Sequence, residues 1–245
     1  MKLLILIVAL GFTTLAQGQT KQAVDDIMSN NIHLGVDLQT KYVWRGMEMM
    51  TENSSPVVFP TISYSNDGLS MYVMGGYALN GQYAEVDLGI SYSWNWMTLG
   101  VNDYYYPTVS SNKDDYFYFG TNTGHWVEGV VTISPERIPA YLTLSTFFYG
   151  ADKMPDGKQA YSSYLELGVY HDFVDNNRLS FAIGAACNKS CYNGYANELG
   201  ICNLELKYTN NVALNSELVI PLHVAYIINP IYKKSFVNLS TSVYF

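Results

Sequence analysis

Ten ionisable residues recur at alternating positions of strand-like segments: Asp37, Lys41, Arg45, Glu85, Asp87, Glu128, Glu166, Glu205, Lys207 and Glu217. Residues i and i+2 of a strand share a face, so Glu85 with Asp87 and Glu205 with Lys207 point the same way. Gathered on one enclosed surface, seven acids and three bases would concentrate cations and repel anions. Lys41 and Arg45 lie near one end of their segment, where they could neutralise Glu85 and Asp87. Pairing of that kind is how a buried charge is normally tolerated, and it is the competing use of these residues.

Other chemistry has less support. An envelope hydrolase needs a serine activated by histidine, with a third group orienting the imidazole. The four histidines are His33, His125, His171 and His223, and none has a serine two residues on. The sequence therefore gives no catalytic residues, no metal set and no cofactor motif. Cys187, Cys191 and Cys202 are an odd number, so in an oxidising compartment one pair can bridge and one thiol is left over. Cys187 and Cys191, flanking a short polar segment, are the expected pair.

Positioning the charged set falls to the strands. Ile32, Leu34, Val36, Leu38, Thr40, Tyr42 and Trp44 alternate with a polar series from His33 to Arg45. Such alternation is a two-faced strand. Twelve segments read this way: about 31–46, 57–65, 69–79, 83–94, 96–106, 114–133, 140–149, 161–173, 179–187, 197–208, 212–224 and 236–245. Connections after even-numbered segments are short, such as Ser65-Asn66-Asp67-Gly68 and the corner at Asn95. Most of those after odd-numbered segments are longer and polar. Sorting of connections by parity is expected of a membrane barrel, with short turns on one side and long loops on the other. A soluble sandwich has no reason to show it.

The amino terminus sets the compartment. Lys2 precedes the apolar stretch Leu3–Leu10, and Ala16-Gln17-Gly18 offers small residues at a cleavage point. That is a secretory leader over residues 1–18, with cleavage before Gln19 and a polar lead-in over 19–30. The leader holds one base and no acid, so its loss makes a net charge of −8 one unit more negative. An acidic chain lacks the basic face that a nucleic-acid partner requires. Aromatic residues make up 15% of the sequence, 22 of them tyrosine, which suits interfacial girdles of a membrane barrel. The run Tyr104-Tyr105-Tyr106 with Tyr116-Phe117-Tyr118-Phe119 reads as girdle and extended hairpin, or as a sugar-stacking vestibule. No later apolar run is long enough for a spanning helix, so membrane residence requires a closed barrel.

At the far end Val237, Leu239, Thr241, Val243 and Phe245 fall on one face. A terminal apolar strand ending in Phe245 resembles the signal read by the barrel-assembly machinery. Thr40-Lys41-Tyr42-Val43-Trp44-Arg45-Gly46 resembles the hallmark of the TorF-type porin family. The block Asn80-Gly81-Gln82-Tyr83-Ala84-Glu85-Val86-Asp87, with Gly89-Ile90-Ser91-Tyr92 after it, is similar to that family's next motif. Met47-Glu48-Met49-Met50 departs from the polar residues expected after Arg-Gly. The resemblance implies a porin-type barrel and no particular solute.

The expectation is an all-β, antiparallel up-and-down transmembrane barrel of about twelve strands over residues 31–245, integral to a Gram-negative outer membrane. Its partners would be outer-membrane lipid and small solutes or ions. Passive, cation-preferring passage is the leading function. A non-conducting scaffold for adhesive loops and a lipid hydrolase are the alternatives.

Overall fold

The computed structural model describes residues 31–50, 54–107, 115–173, 177–196, 199–213 and 219–244. The leader, its cleavage point, the lead-in over 19–30, Glu217 and Phe245 lie outside the described residues. The elements in chain order are β1 (Ile32–Gln39), β2 (Val43–Trp44), β3 (Met47–Glu48), β4 (Val57–Asn66), β5 (Leu69–Ala78), β6 (Ala84–Trp94) and β7 (Met97–Tyr105). They continue as β8 (His125–Ile133), β9 (Ala140–Gly150), β10 (Ser163–Asp172), β11 (Arg178–Ala186), β12 (Gly200–Ala213), β13 (Val219–Asn229) and β14 (Lys234–Tyr244).

All but β2 and β3 form one closed sheet of twelve antiparallel strands, each paired with its neighbour in sequence. β1 closes the ring by pairing with β4 on one side and β14 on the other, where Val36 faces Val243. Closure leaves no free edge, so along the paired registers backbone groups are satisfied within the sheet.

The turns have local causes. Asn66 faces Leu69 across a two-residue connection, with Asp67 at φ 46° and Gly68 at φ 85°. Two consecutive positive φ values give a primed turn, whose twist matches the flanking strands. A β-carbon on Gly68 would lie 2.4 Å from the Ser93 carbonyl oxygen, so the site excludes any side chain. Asn95 at φ 51° makes the corresponding corner between β6 and β7. Connections at this turn end are short, whereas at the other end the chain between β1 and β4, β7 and β8, β9 and β10, and β11 and β12 is twelve residues or longer.

Alternation along each strand sends polar and small residues inward and apolar residues outward. Leu99, Val101, Leu165, Leu167, Val169 and Leu239 are exposed on the exterior wall. Tyr92, Trp94 and Trp96 stand exposed at the turn end, and Tyr77, Tyr149 and Tyr161 toward the loop end. An apolar band between two aromatic borders, on a sheet without edges, is the surface of a membrane-spanning barrel. Among the described residues no helix is long and apolar enough to cross a membrane.

Two expected segments and two expected connections differ from the structure. The first strand stops at Gln39 rather than running to residue 46. The chain then leaves the wall and folds back as the small β2–β3 hairpin. The segment expected over 114–133 is a strand only from His125; residues 115–124 make turns instead. The last two connections are shifted as well. Thr209–Asn211 continues β12, and Ala225–Asn229 belongs to β13, which leaves only 230–233 as connection. The Thr-Asn-Asn run resembles a turn, but a barrel wall accepts polar side chains on its inner face.

Candidate functional site

The β2–β3 hairpin lies inside the lumen. Trp44 faces Met47 across a two-residue turn, and its central residues Arg45 and Gly46 have φ 50° and 76°. A left-handed conformation at a non-glycine residue costs on the order of 1 kcal/mol, so something must hold Arg45 there. That partner is Glu128 on β8. Arg45 Nη1 donates to Glu128 Oε1 at 2.5 Å and Nη2 donates to Oε2 at 3.0 Å. Two parallel N–H···O bonds give a geometry that lysine could not reproduce.

Aromatic rings complete the cage. The guanidinium carbon lies 4.4 Å from the Trp44 ring centroid, 4.7 Å from Tyr164 and 5.7 Å from Tyr192. Phe147 and Tyr104 pack beside Trp44, at centroid distances of 6.2 and 5.7 Å. Arg45 also donates to the Tyr192 hydroxyl at 2.5 Å. Cation–π contacts of this kind gain strength as water is excluded, and Glu128 and Tyr192 are fully buried.

The hairpin tip reaches the opposite wall. Asn229 on β13 donates its Nδ2 hydrogen to the Gly46 carbonyl at 3.0 Å. A β-carbon on Gly46 would sit 2.0 Å from the Cys202 carbonyl oxygen on β12. Cys202 is the extra residue where the β11–β12 register shifts, and the bulge turns its side chain inward. At the hairpin base, Tyr42, Met49 and Met50 join Val57, Phe59, Ala78 and Tyr83 in an apolar cluster. Lys41 donates to Glu48 at 2.5 Å, so it closes the hairpin on itself. The lumen at the loop end is therefore filled by the protein's own first loop.

A second loop supports the first. Asp152 accepts hydrogen bonds from Ser162 N at 2.8 Å, from Ser162 Oγ at 2.6 Å and from Tyr195 Oη at 3.3 Å. Cys191 N donates to Ser162 Oγ at 2.9 Å, which ties the 187–199 loop to the 151–162 loop. That anchor aims Tyr192 at Arg45. Burial pushes the Cys191 thiol up to about 12 and raises the Asp152 carboxyl. The expected Cys187–Cys191 bridge is not formed: Cys187, Cys191 and Cys202 are free thiols. The 3-10 turn over Cys191–Asn193 commits the loop to placing Tyr192 inward.

Of the ten ionisable residues expected on one surface, Asp37, Glu85, Asp87, Glu128 and Glu166 are buried on the inner face of the wall. Glu205 and Lys207 share that face and form an ion pair at 3.4 Å. Lys41 and Arg45 belong to the hairpin rather than the wall, and neither neutralises Glu85 or Asp87. Among the described residues, Asp37, Glu85, Asp87 and Glu166 have no basic ion-pair partner. Tyrosine hydroxyls serve some of them instead. Tyr83 donates to Glu85 at 2.6 Å and Tyr141 donates to Glu166 at 2.8 Å. Tyr164 also donates to Glu166. The Asp87 Oδ1 atom and the Glu85 Oε1 atom have no hydrogen-bond partner among the described residues.

Tyrosine content alone points to girdles and does not distinguish these inward tyrosines. The signal was there: Tyr83 and Glu85, like Tyr164 and Glu166, are two residues apart and share a face. Tyr104 extends the network, donating to Glu128 Oε2 at 3.0 Å and accepting from Asn102, which in turn accepts from Tyr72. Toward the turn end the inner face carries small hydroxyls, with Ser93 paired to Thr98 and Thr132 to Thr143. The Tyr-rich run is divided: Tyr104 faces the lumen, whereas Tyr105 points outward and lies buried under residues 115–124.

No family model matches the chain, and no curated protein does. Among solved structures it is similar to a CymD monoaromatic hydrocarbon channel, with a TM-score of 0.42 and 10% sequence identity over 94% of each chain.

Proposed function

We propose that this barrel is an outer-membrane channel for small solutes whose mouth is closed by the β2–β3 hairpin. The observation that carries this reading is the manner of closure. The β2–β3 hairpin, on the connection between β1 and β4, crosses a lumen lined by carboxyl and hydroxyl groups, and its tip is held by the Arg45–Glu128 ion pair and by Asn229. A lumen that served only as a structural core would be filled by side chains from the wall. A plug on a loop, tethered by a bond between charges, can leave.

Cation preference is the finer part of the proposal. Four inward carboxyl groups without a basic partner among the described residues support it: once the hairpin leaves and water reaches them, they ionise and draw cations into the lumen. The Thr40–Gly46 motif, on which the resemblance to the TorF-type porin family rests, leads into the hairpin that forms the plug. The direct test is conductance in planar bilayers, comparing the intact protein with a variant in which residues 43–50 are replaced by a short glycine-serine link. The reading expects rare openings from the first and steady current from the second.

A second reading rests on the same burial. If the shortened variant carries no current although it remains a heat-modifiable barrel, the filled lumen is a scaffold and the long loops are the working surface.

A further inference from the structure

Asp103 and His125 meet on the exterior of the barrel, not in its lumen. Leu99 and Val101 share the parity of Asp103 on β7 and are exposed outward, and Tyr105 faces His125 across the β7–β8 ladder. Yet His125 is fully buried, because residues 115–124 fold down over this part of the wall as a strap.

The strap is stacked on the imidazole. The Phe119 ring lies 4.2 Å from the His125 ring at an interplanar angle of 15°, with Tyr105 at 4.7 Å and Tyr116 at 5.0 Å. His125 Nδ1 lies 2.9 and 2.8 Å from the two carboxyl oxygens of Asp103. His125 Nε2 lies 2.7 Å from the carbonyl oxygen of Tyr116. The carbonyl can only accept, and an ionised carboxylate can only accept, so each of the two gaps needs a hydrogen. A neutral imidazole beside an ionised carboxylate supplies one.

We propose that residues 115–124 form a proton-controlled strap, pinned to the exterior wall while the Asp103–His125 pair holds two protons and freed when it holds one. With both gaps filled, the ring is an imidazolium against a carboxylate, and its charge also favours the three surrounding aromatic faces. Loss of one proton leaves a nitrogen lone pair facing an oxygen lone pair and removes the cation from its cage. The contact is present at low pH and is lost as pH rises through the titration of the pair. Other groups around the ring do not replace the missing hydrogen. The Tyr149 hydroxyl donates to the Phe119 carbonyl. Asp115 accepts from Phe117 N at 3.1 Å, within the strap. Asp87 lies across the wall in the lumen.

Histidine is suited to this task because its charge changes near physiological pH. Other bonds accompany the pair: Tyr106 N donates to the Gly124 carbonyl at 3.3 Å and His125 N to Thr123 Oγ1 at 3.2 Å at the strap's end, Thr123 Oγ1 bonds the Tyr118 carbonyl inside it, and Tyr149 holds Phe119. Phe117, 84% exposed, packs edge-on against Tyr116.

The test is amide hydrogen exchange of residues 115–124 in the detergent-solubilised barrel from about pH 5 to pH 9. Nitrogen NMR of histidine-labelled protein reports the ring protons in the same samples. After correction for intrinsic exchange, wild-type strap amides should be protected at low pH. They should open about tenfold or more once one proton is lost. His125→Gln should show the open rate at every pH. Asp103→Asn is the sharper variant: its amide can donate to a bare Nδ1 while Nε2–H still donates to Tyr116. A neutral ring then fills both gaps, and the strap should stay protected across the range. Protection in wild type that ignores pH, or loss of pinning in Asp103→Asn with the barrel intact, would overturn the proposal.

Discussion

Arg45 and Glu128 meet through two parallel bonds of 2.5 and 3.0 Å, although 83 residues separate them in sequence. The pair joins the tip of the first loop to the wall strand β8. It offsets the left-handed backbone of Arg45 and fixes where the plug ends.

Glu128→Gln should release the hairpin tip without unfolding the barrel. Breaking a buried pair by removing one charge costs roughly 3–5 kcal/mol, because the partner is left uncompensated. The expected readout is a large rise in open probability in planar bilayers, with heat-modifiable mobility retained. Arg45→Lys should also raise open probability, since a lysine cannot make both bonds. A Glu128→Gln channel as quiet as wild type would show that the hairpin is held elsewhere.

Gly46→Ala tests the same contact by shape. The added carbon must enter space held by the Cys202 carbonyl at a residue with φ 76°, a strain of roughly 1–3 kcal/mol. The tip should withdraw, giving a partial version of the Glu128→Gln current. Because Arg45 and Glu48 are kept, this current tests displacement of the tip without removing a charge.

Selectivity should follow the carboxylates without basic partners. In the hairpin-deleted background, Glu85→Gln with Asp87→Asn should move reversal potentials in a salt gradient toward the anion side. At about 1 M salt the Debye length is roughly 3 Å, and the difference should shrink. An unchanged reversal potential at low salt would remove Glu85 and Asp87 from the conduction path.

Orientation is tested by labelling intact cells. Single cysteines introduced at Asp156 or Lys158, in a long loop, should react with an impermeant maleimide, and cysteines at Asp67 or Asn95 should not. The native cysteines are replaced by serine in this background. Equal labelling at both ends would reject the assignment of long loops to the cell surface.

The native thiols give a test of loop closure. Cys191, with its thiol pushed up to about 12 by burial, has little thiolate at neutral pH, and thiolate is the reactive form. It should label slowly in the wild type. Asp152→Asn, which weakens the junction of the two loops, should speed that reaction while leaving the buried Cys202 unchanged. Fast labelling of Cys191 in the wild type would contradict the inward placement of its loop.

Local chemistry in the sequence determined the barrel. Period-two alternation sets which side chains face lipid, and the Asp-Gly and Asn corners set where strands reverse. Both act over a few residues, so the strand number and the inward parity of Asp37, Glu85, Asp87, Glu128 and Glu166 were legible. The overlong first and sixth segments failed for one reason: alternation continues through residues 40–46 and 115–119 after the chain has left the wall. Alternation reports two faces and does not say what each face touches. The tertiary structure alone decided that Arg45 crosses to Glu128, that Tyr192 comes down from another loop to meet them, and that His125 is buried on the exterior. Each joins residues far apart in the chain, and their meeting depends on closure of the ring bringing distant strands within side-chain reach. The lumen tyrosines stand between these cases. Their shared face with the glutamates is written in the i, i+2 spacing, but only the closed wall excludes the water that would otherwise take the place of their hydroxyls.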